Sequence, residues 1–190
     1  MRIFIAVELP EEIRKTLFSL VPTKFPFDGV NVVAQENLHI TLKFLGEVES
    51  SLIEKIKEAL SLIAKKHSSF TLNISYPGVF PDTSRPRVIW IGTENSKEIK
   101  ALARDIEKEM EAMGFPSEKR DFKSHITLAR VKNFQNGRLL FERINKNFRE
   151  KHLSSKNINL QFSVKDFVLM KSTLTPRGSI YEVLEKFPLC

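Results

Sequence analysis

Apolar and polar positions follow two rhythms along this chain, and the two rhythms occur in the same order twice. Residues 2–8, RIFIAVE, are largely apolar and β-branched and read as a strand. Pro10 then opens a helix whose first turn holds Glu11 and Glu12, acidic side chains that suit the positive end of the helix dipole. Its apolar face carries Ile13, Leu17 and Leu20. HITLKFLG (39–46) is a second strand. Residues 47–67 have the helical period, with Leu52, Ile53, Ile56, Leu60 and Ile63 on one side. FTLNISYPGVF (70–80) reads as a strand ended by Pro77-Gly78.

The order then repeats. RVIWIG (87–92) is a strand. Residues 96–113 form a helix with Ile99, Leu102, Ile106, Met110 and Met113 inward, stopped by Gly114 in the left-handed cap position. HITLARV (125–131) is a strand, and 138–152 a helix carrying Leu140, Ile144 and Phe148. LQFSVKDFVLM (160–170) reads as one strand and GSIYEVLEKF (178–187) as the last. Ile3 precedes His39 by 36 positions, and Ile89 precedes His125 by the same 36. This pattern predicts an α+β, bilobal fold of two lobes related by a pseudo-twofold axis. The expected organisation is one domain over 1–190, with approximate halves 1–84 and 85–190 meeting in the PDTSRPR loop (81–87). The halves are free to exchange terminal strands.

The tetrapeptide HITL is shared by the two halves without change, at His39–Leu42 and His125–Leu128. Strand alternation places His39, Thr41 and Lys43 on one face, and His125 with Thr127 likewise. Repeated core strands explain Ile and Leu, but not a shared His and Thr on the polar face. Across a twofold axis the two pairs bring two imidazoles and two hydroxyls to one small polar volume. Imidazole titrates near neutral pH, so one ring can activate water while the other protonates a leaving oxygen. The hydroxyls can donate to the non-bridging oxygens of a phosphodiester. A metal site is disfavoured, since two histidines 86 positions apart have no third ligand at a recognisable spacing. Ser124 beside His125 is a poor nucleophile, because adjacent strand residues point to opposite faces. His67 and His152 sit at predicted helix ends, where a partial positive charge is favourable, and are read as structural.

Composition narrows this little further. The net charge of +7 favours a polyanionic partner. No apolar run approaches the ~20 residues of a membrane span, and the start MRIFIAVELPEE lacks the pattern of a signal peptide. The only cysteine is Cys190, which leaves no intrachain disulfide and no zinc–thiolate site. The expected location is cytoplasmic.

With RIFIAVELP, ENLHITLKFLGEV, PRVIWIG, FKSHITLARV and LMKSTLTPRGSIYEVL, the whole chain resembles the 2H phosphoesterase superfamily, named for two H-x-[ST]-x motifs. Within it the chain is most similar to the RNA 2′,3′-cyclic phosphodiesterases, also called 2′–5′ RNA ligases of the LigT/ThpR type. The resemblance implies a bilobal fold in which each lobe has an antiparallel sheet with helices on the outside and the active-site cleft lies between the sheets. It implies metal-independent, cofactor-free opening of an RNA terminal 2′,3′-cyclic phosphate to a 2′-phosphate. Some members of the family that the chain resembles also join such an end reversibly to a 5′-hydroxyl end through a 2′–5′ bond, as in tRNA halves. A monomer acting on RNA, with no membrane partner, is expected. Carried over by position, His39 is the general acid at O3′ and His125 the base, a split that the near-symmetry of the site leaves open. Thr41 and Thr127 are then the phosphate-binding hydroxyls. Arg130 matches a basic residue that several members carry five positions after the second histidine. Plain alternation puts Arg130 on the Ile-Leu face, so a bulge or strand end is required to bring it round. Lys43 is read either as an RNA contact or as a solvated lysine. Arg85, Arg87, Lys119, Arg120 and Lys123 could line the rim or be ordinary loop charges. Two other readings remain open: a 2H phosphoesterase acting on a small cyclic phosphate, and a non-catalytic RNA-binding module. The second lacks the aromatic pattern of an RRM sheet.

Overall fold

The computed structural model describes residues 1–26, 28–94, 96–154, 160–176 and 178–190, without the side chains of 152–154. In chain order the elements are β1 (Arg2–Glu8), α1 (Glu11–Phe18), β2 (Val30–Val32), β3 (His39–Glu47), α2 (Ile53–Ala64), β4 (Phe70–Phe80), β5 (Val88–Thr93), α3 (Lys97–Ala112), β6 (His125–Val131), α4 (Phe134–Ser154), β7 (Gln161–Val164), β8 (Asp166–Thr175) and β9 (Gly178–Pro188). Local chemistry sets the boundaries. The Ser96 hydroxyl accepts from the N–H groups of Glu98 and Ile99 and caps α3, and Gly114, at φ +91°, ends it as the sequence predicts. Asn133 Oδ1 accepts from the N–H groups of Gln135 and Asn136, so α4 starts ahead of its predicted position.

The antiparallel strands form one sheet in the order β7-β4-β5-β6-β3-β1-β8-β9, with β2 also paired to β6. The two predicted sheets are its two halves, and each contains strands from the other half of the sequence. β4, from the first half of the sequence, pairs with β5 and β7. β8 and β9 come from the second half, β8 pairing with β1 and β9 with β8. The segment 160–170, read as a single strand, is therefore two: β7 and β8 are separated by Lys165 alone and lie toward opposite ends of the strand order. Backbone bonds from Ser69 N–H to Cys190 O (2.8 Å) and from Cys190 N–H to His67 O (2.9 Å) draw those ends together. β4 continues past Pro77, because a register shift between Ile74 and Pro77 accommodates the missing N–H.

The halves meet where β3 pairs with β6 at Ile40 and Ile126. These two are equivalents under the repeat, so the pseudo-twofold axis passes between them. Beyond that contact β3 diverges, and the short strand β2 pairs with β6 from Ala129 to Val131. The buried residues of α1, α2 and α3, with Leu140 and Ile144 of α4, join one core with Ile3, Ile5, Ile40, Ile89, Ile126 and Phe167. The opposite face carries a small separate cluster of Phe4, Ala6, Val168 and Met170, with Tyr181 packed on it. The helices thus occupy one face and leave the other for the polar residues of both HITL motifs. Among the described residues no helix is long and apolar enough to cross a membrane.

Candidate active site

Both motifs carry the same bulge. In β3, Ile5 pairs with Lys43 and Ala6 with Thr41, so Leu42 is the extra residue. In β6, Ile89 pairs with Ala129 and Trp90 with Thr127, so Leu128 is the extra residue. A bulge of this kind switches the alternation for everything that follows it. Arg130 is therefore exposed on the histidine face, as its carried-over role requires. Lys43 goes the other way, against the expectation from plain alternation. It is only 5% exposed, and its Nζ donates to Glu107 Oε1 (2.7 Å) on α3 and to Pro116 O (2.9 Å). It ties β3 to the loop leading into the second motif and is no RNA contact. The position it vacates is taken by Phe44, 61% exposed.

With Ile40 opposite Ile126, position 39 lies alongside 127 and position 41 alongside 125. Side chains so placed stand ~5 Å apart at Cβ on one face. The strand pairing thus gathers His39, Thr41, His125 and Thr127 at the seam. His39 Nδ1 donates to Asn37 O (2.7 Å) and His125 Nδ1 to Lys123 O (2.6 Å). Carbonyls only accept, so each neutral ring carries its proton on Nδ1 and presents a basic Nε2. The Thr41 hydroxyl donates to His39 Nε2 at 3.0 Å. Burial holds both imidazoles below the usual 6.5. The carbonyl acceptors oppose this shift; the Arg130 charge reinforces it for both rings, and Lys123 for His125. Before an anion binds, the site therefore holds two neutral imidazoles beside one fixed guanidinium.

Aromatic rings support each histidine. His39 packs against Phe4 (5.0 Å between centroids) and edge-on to Tyr181 (5.3 Å). His125 stands edge-on to Phe80 (5.1 Å) and beside Trp90 (6.1 Å). None of these rings was singled out by the sequence reading. Phe4 and Trp90 are equivalents under the 86-residue offset, as are Phe44 and Arg130, so that comparison would have found them. Tyr181 had no such signal, since its place depends on the register of β9.

The remaining residues divide plainly. Of the five rim cations, Lys123 lies against the site, its Nζ 4.4 Å from the Trp90 ring centroid. Arg87 lies over Phe134, while Arg85, Lys119 and Arg120 are exposed. His67 Nε2 meets Asp105 Oδ2 (3.0 Å), a link from the end of α2 to α3 in keeping with its structural reading. His152 falls in α4, with its side chain outside the described residues. Ser124 Oγ accepts from the Thr93 hydroxyl (2.7 Å) and is no nucleophile for His125. No group of three or more His, Cys, Asp or Glu side chains suited to a metal occurs among the described residues.

The family model for LigT-like phosphoesterases matches the chain twice, over residues 7–90 and 91–181, once for each HITL motif. The chain belongs to this family. Two relatives align over nearly their full length. A protein of Methanocaldococcus jannaschii named RNA 2′,3′-cyclic phosphodiesterase is 37% identical over 188 residues, covering 98% of this chain and all of its own. One of the same name from Archaeoglobus fulgidus is 35% identical, covering 98% of this chain and 99% of its own. The crystal structure of TT0787 from Thermus thermophilus superposes with a TM-score of 0.77 at 30% identity, covering 100% of this chain and 98% of that one. Escherichia coli LigT complexed with 3′-AMP superposes at 0.74 and 28% identity, covering 99% and 97%.

Proposed function

We propose that this LigT-like chain opens the terminal 2′,3′-cyclic phosphate of RNA to a 2′-phosphate, with His39 as acid and His125 as base. The observation that carries the reading is the paired geometry at the seam. Two imidazoles, each anchored through Nδ1 to a backbone carbonyl, offer Nε2 on one sheet face beside Arg130. The names borne by full-length relatives support RNA as the substrate.

The chemistry follows from those positions. An arriving phosphodiester anion favours the protonated form of a nearby imidazole, and His39 takes up a proton at Nε2. Nε2 then no longer accepts from Thr41, whose hydroxyl is released to donate to the phosphate. Thr127 and Arg130 supply donors to the same oxygens as charge builds on them. Neutral His125 takes a proton from water as its oxygen forms the new bond to phosphorus. The P–O3′ bond breaks, and His39 gives its proton to O3′. Exchange with solvent resets both rings. An RNA 5′-hydroxyl in place of water gives a 2′–5′ bond by the same steps, and the reverse reaction exchanges the two roles. Neither route calls for a metal or cofactor. RNAs with cyclic phosphate ends, tRNA halves among them, are the proposed partners of a monomeric, cytoplasmic enzyme.

The test uses a short RNA ending in a 2′,3′-cyclic phosphate, in EDTA, with the wild type and the His39→Ala and His125→Ala variants. A product phosphate resistant to a 3′-specific phosphatase, lost in both variants, is expected. An intact RNA end with wild type overturns the reading and turns attention to small cyclic phosphates or to binding alone.

A further inference from the structure

We propose that the Phe80–Trp90 surface beside His125 is a binding slot for the first nucleobase of a 5′-hydroxyl RNA end, with Lys123 as its displaceable cover. The inference rests on the assignment of His125 as the base, because the base stands next to the attacking oxygen. A 5′-hydroxyl acceptor must then place its first nucleoside on the side of the second lobe.

The surface there is shaped for a flat ring. Trp90 lies directly on the backbone of Gly78, where an added Cβ would sit 2.3 Å from the indole. At Gly92 an added Cβ would meet the same ring at 3.2 Å. Two glycines thus make room for the indole to lie against the sheet. Phe80 adjoins it, with centroids 5.0 Å apart. Trp90 is only 4% exposed and yet lies outside the helix-side core. What covers it includes a lysine: Lys123 Nζ stands 4.4 Å from the Trp90 centroid and 5.5 Å from that of Phe80. Lys123 has no ion pair among the described residues. The buried Trp90 Nε1 likewise lacks a hydrogen-bond partner among them. An unpaired buried donor is rare in a finished core and fits a surface completed by a ligand.

The equivalent ring in the first lobe is closed by different means. Phe4 packs with Ala6, Val168 and Met170 under Tyr181, an aromatic cover held by β9. A lysine on a flexible stem is a cover of another kind. An ammonium on an indole face occupies the place of a stacked base, and a phosphate can draw it away. The phosphate that follows the first nucleoside of an RNA 5′ end supplies that charge. Base and cation thus exchange places on one aromatic face. The exchange carries no base identity, since every base has a π-face.

Trp90 is the only tryptophan in the chain, so its emission reports on this slot alone. The wild type is titrated with an RNA trinucleotide bearing 5′- and 3′-hydroxyl ends, and with the same trimer made abasic at its 5′ residue. Saturable quenching is expected, with half-saturation at least ~5-fold higher for the abasic trimer. Phe80→Leu should raise half-saturation for the intact trimer by a similar factor, and Phe80→Tyr should restore it. Lys123→Ala, at an exposed position, should redshift the emission before any RNA is added. The same preparations receive a cyclic-phosphate RNA with excess 5′-hydroxyl trimer in EDTA. Phe80→Leu should lower the ratio of joined to hydrolysed product. Equal quenching by both trimers, or hydrolysis with no joined product, overturns the acceptor slot while the hydrolytic reading stands. Base-dependent quenching in a wild-type chain that opens no cyclic phosphate overturns the reaction, and with it the acceptor role.

Discussion

The two lobes share a scaffold and differ in what stands beside each histidine. Five positions after His39 the helix-free face carries Phe44, and five after His125 it carries Arg130. One position earlier, the first lobe buries Lys43 on Glu107 where the second buries Ala129. The duplicated part, His-x-Thr followed by a bulge, supplies two imidazoles with matching Nδ1 anchors, the proton carriers of the proposed reaction. The diverged part gives the site a direction. The guanidinium stands on one side only, and the side with Phe44 is left apolar.

The largest effects should come from the duplicated part. His39→Ala and His125→Ala should each slow single-turnover opening of the cyclic phosphate by about 10²–10⁴-fold. Direction appears when O3′ of the substrate is replaced by sulfur, a leaving group that needs little help from a proton. His39→Ala should recover most of its loss with that substrate, and His125→Ala should recover none. Equal recovery in both variants would erase the distinction between the lobes. Arg130→Met should follow at about 10²–10³-fold, the cost of losing a charged donor to a developing oxyanion.

Next in size is the buried lysine. Lys43→Ala leaves Glu107 without its ammonium and should cost about 3 kcal/mol in urea unfolding, the lower end for a broken buried pair because Glu107 is partly exposed. Lys43→Met combined with Glu107→Gln should regain part of that loss. A Lys43→Ala chain as stable as wild type would deny the pair its anchoring role.

The smallest effect lies in the pH profile. Both imidazoles are held below 6.5 by burial, with Arg130 adding to the shift. The bell in kcat/KM, which reports the free enzyme, should therefore lie on the acid side of an ordinary histidine pair. Removing the Arg130 charge should move it to higher pH. Stability has the corresponding sign. Between the depressed folded values and 6.5 the unfolded chain binds more protons, so stability is lost as pH falls through that window. His39→Asn should flatten that slope, as urea unfolding across pH can show.

Much of this was legible in the residues. The exact HITL repeat, the equal 36-residue spacing and the helical periods give the element order and the four seam residues. What escaped has common physical causes. The bulges at Leu42 and Leu128 carry no glycine or proline to announce them, so Lys43 was placed on the wrong face and Arg130 reached the right one only by comparison with relatives. β2 is three residues long and formed by its partner rather than by its own pattern. The break at Lys165 was hidden because β7 and β8 are both half-apolar and are parted by sheet order, which no local window contains. The aromatic rings around the histidines drew no assignment, since nothing in a single strand tells which face a Phe or Trp will floor.

The exchange of β4 and β8 bears on how such a chain could arise and be divided. Cut at the 81–87 loop, the first segment would own one of the two motif histidines, His39, and two strands, β2 and β4, whose partners all lie in the other segment. Neither half is a smaller enzyme; each is a fragment with an open edge. Two copies of a half-length chain could build this sheet only by exchanging strands, with identical motifs across a true twofold axis. Because both motifs belong to one chain, position 44 is free to differ from position 130.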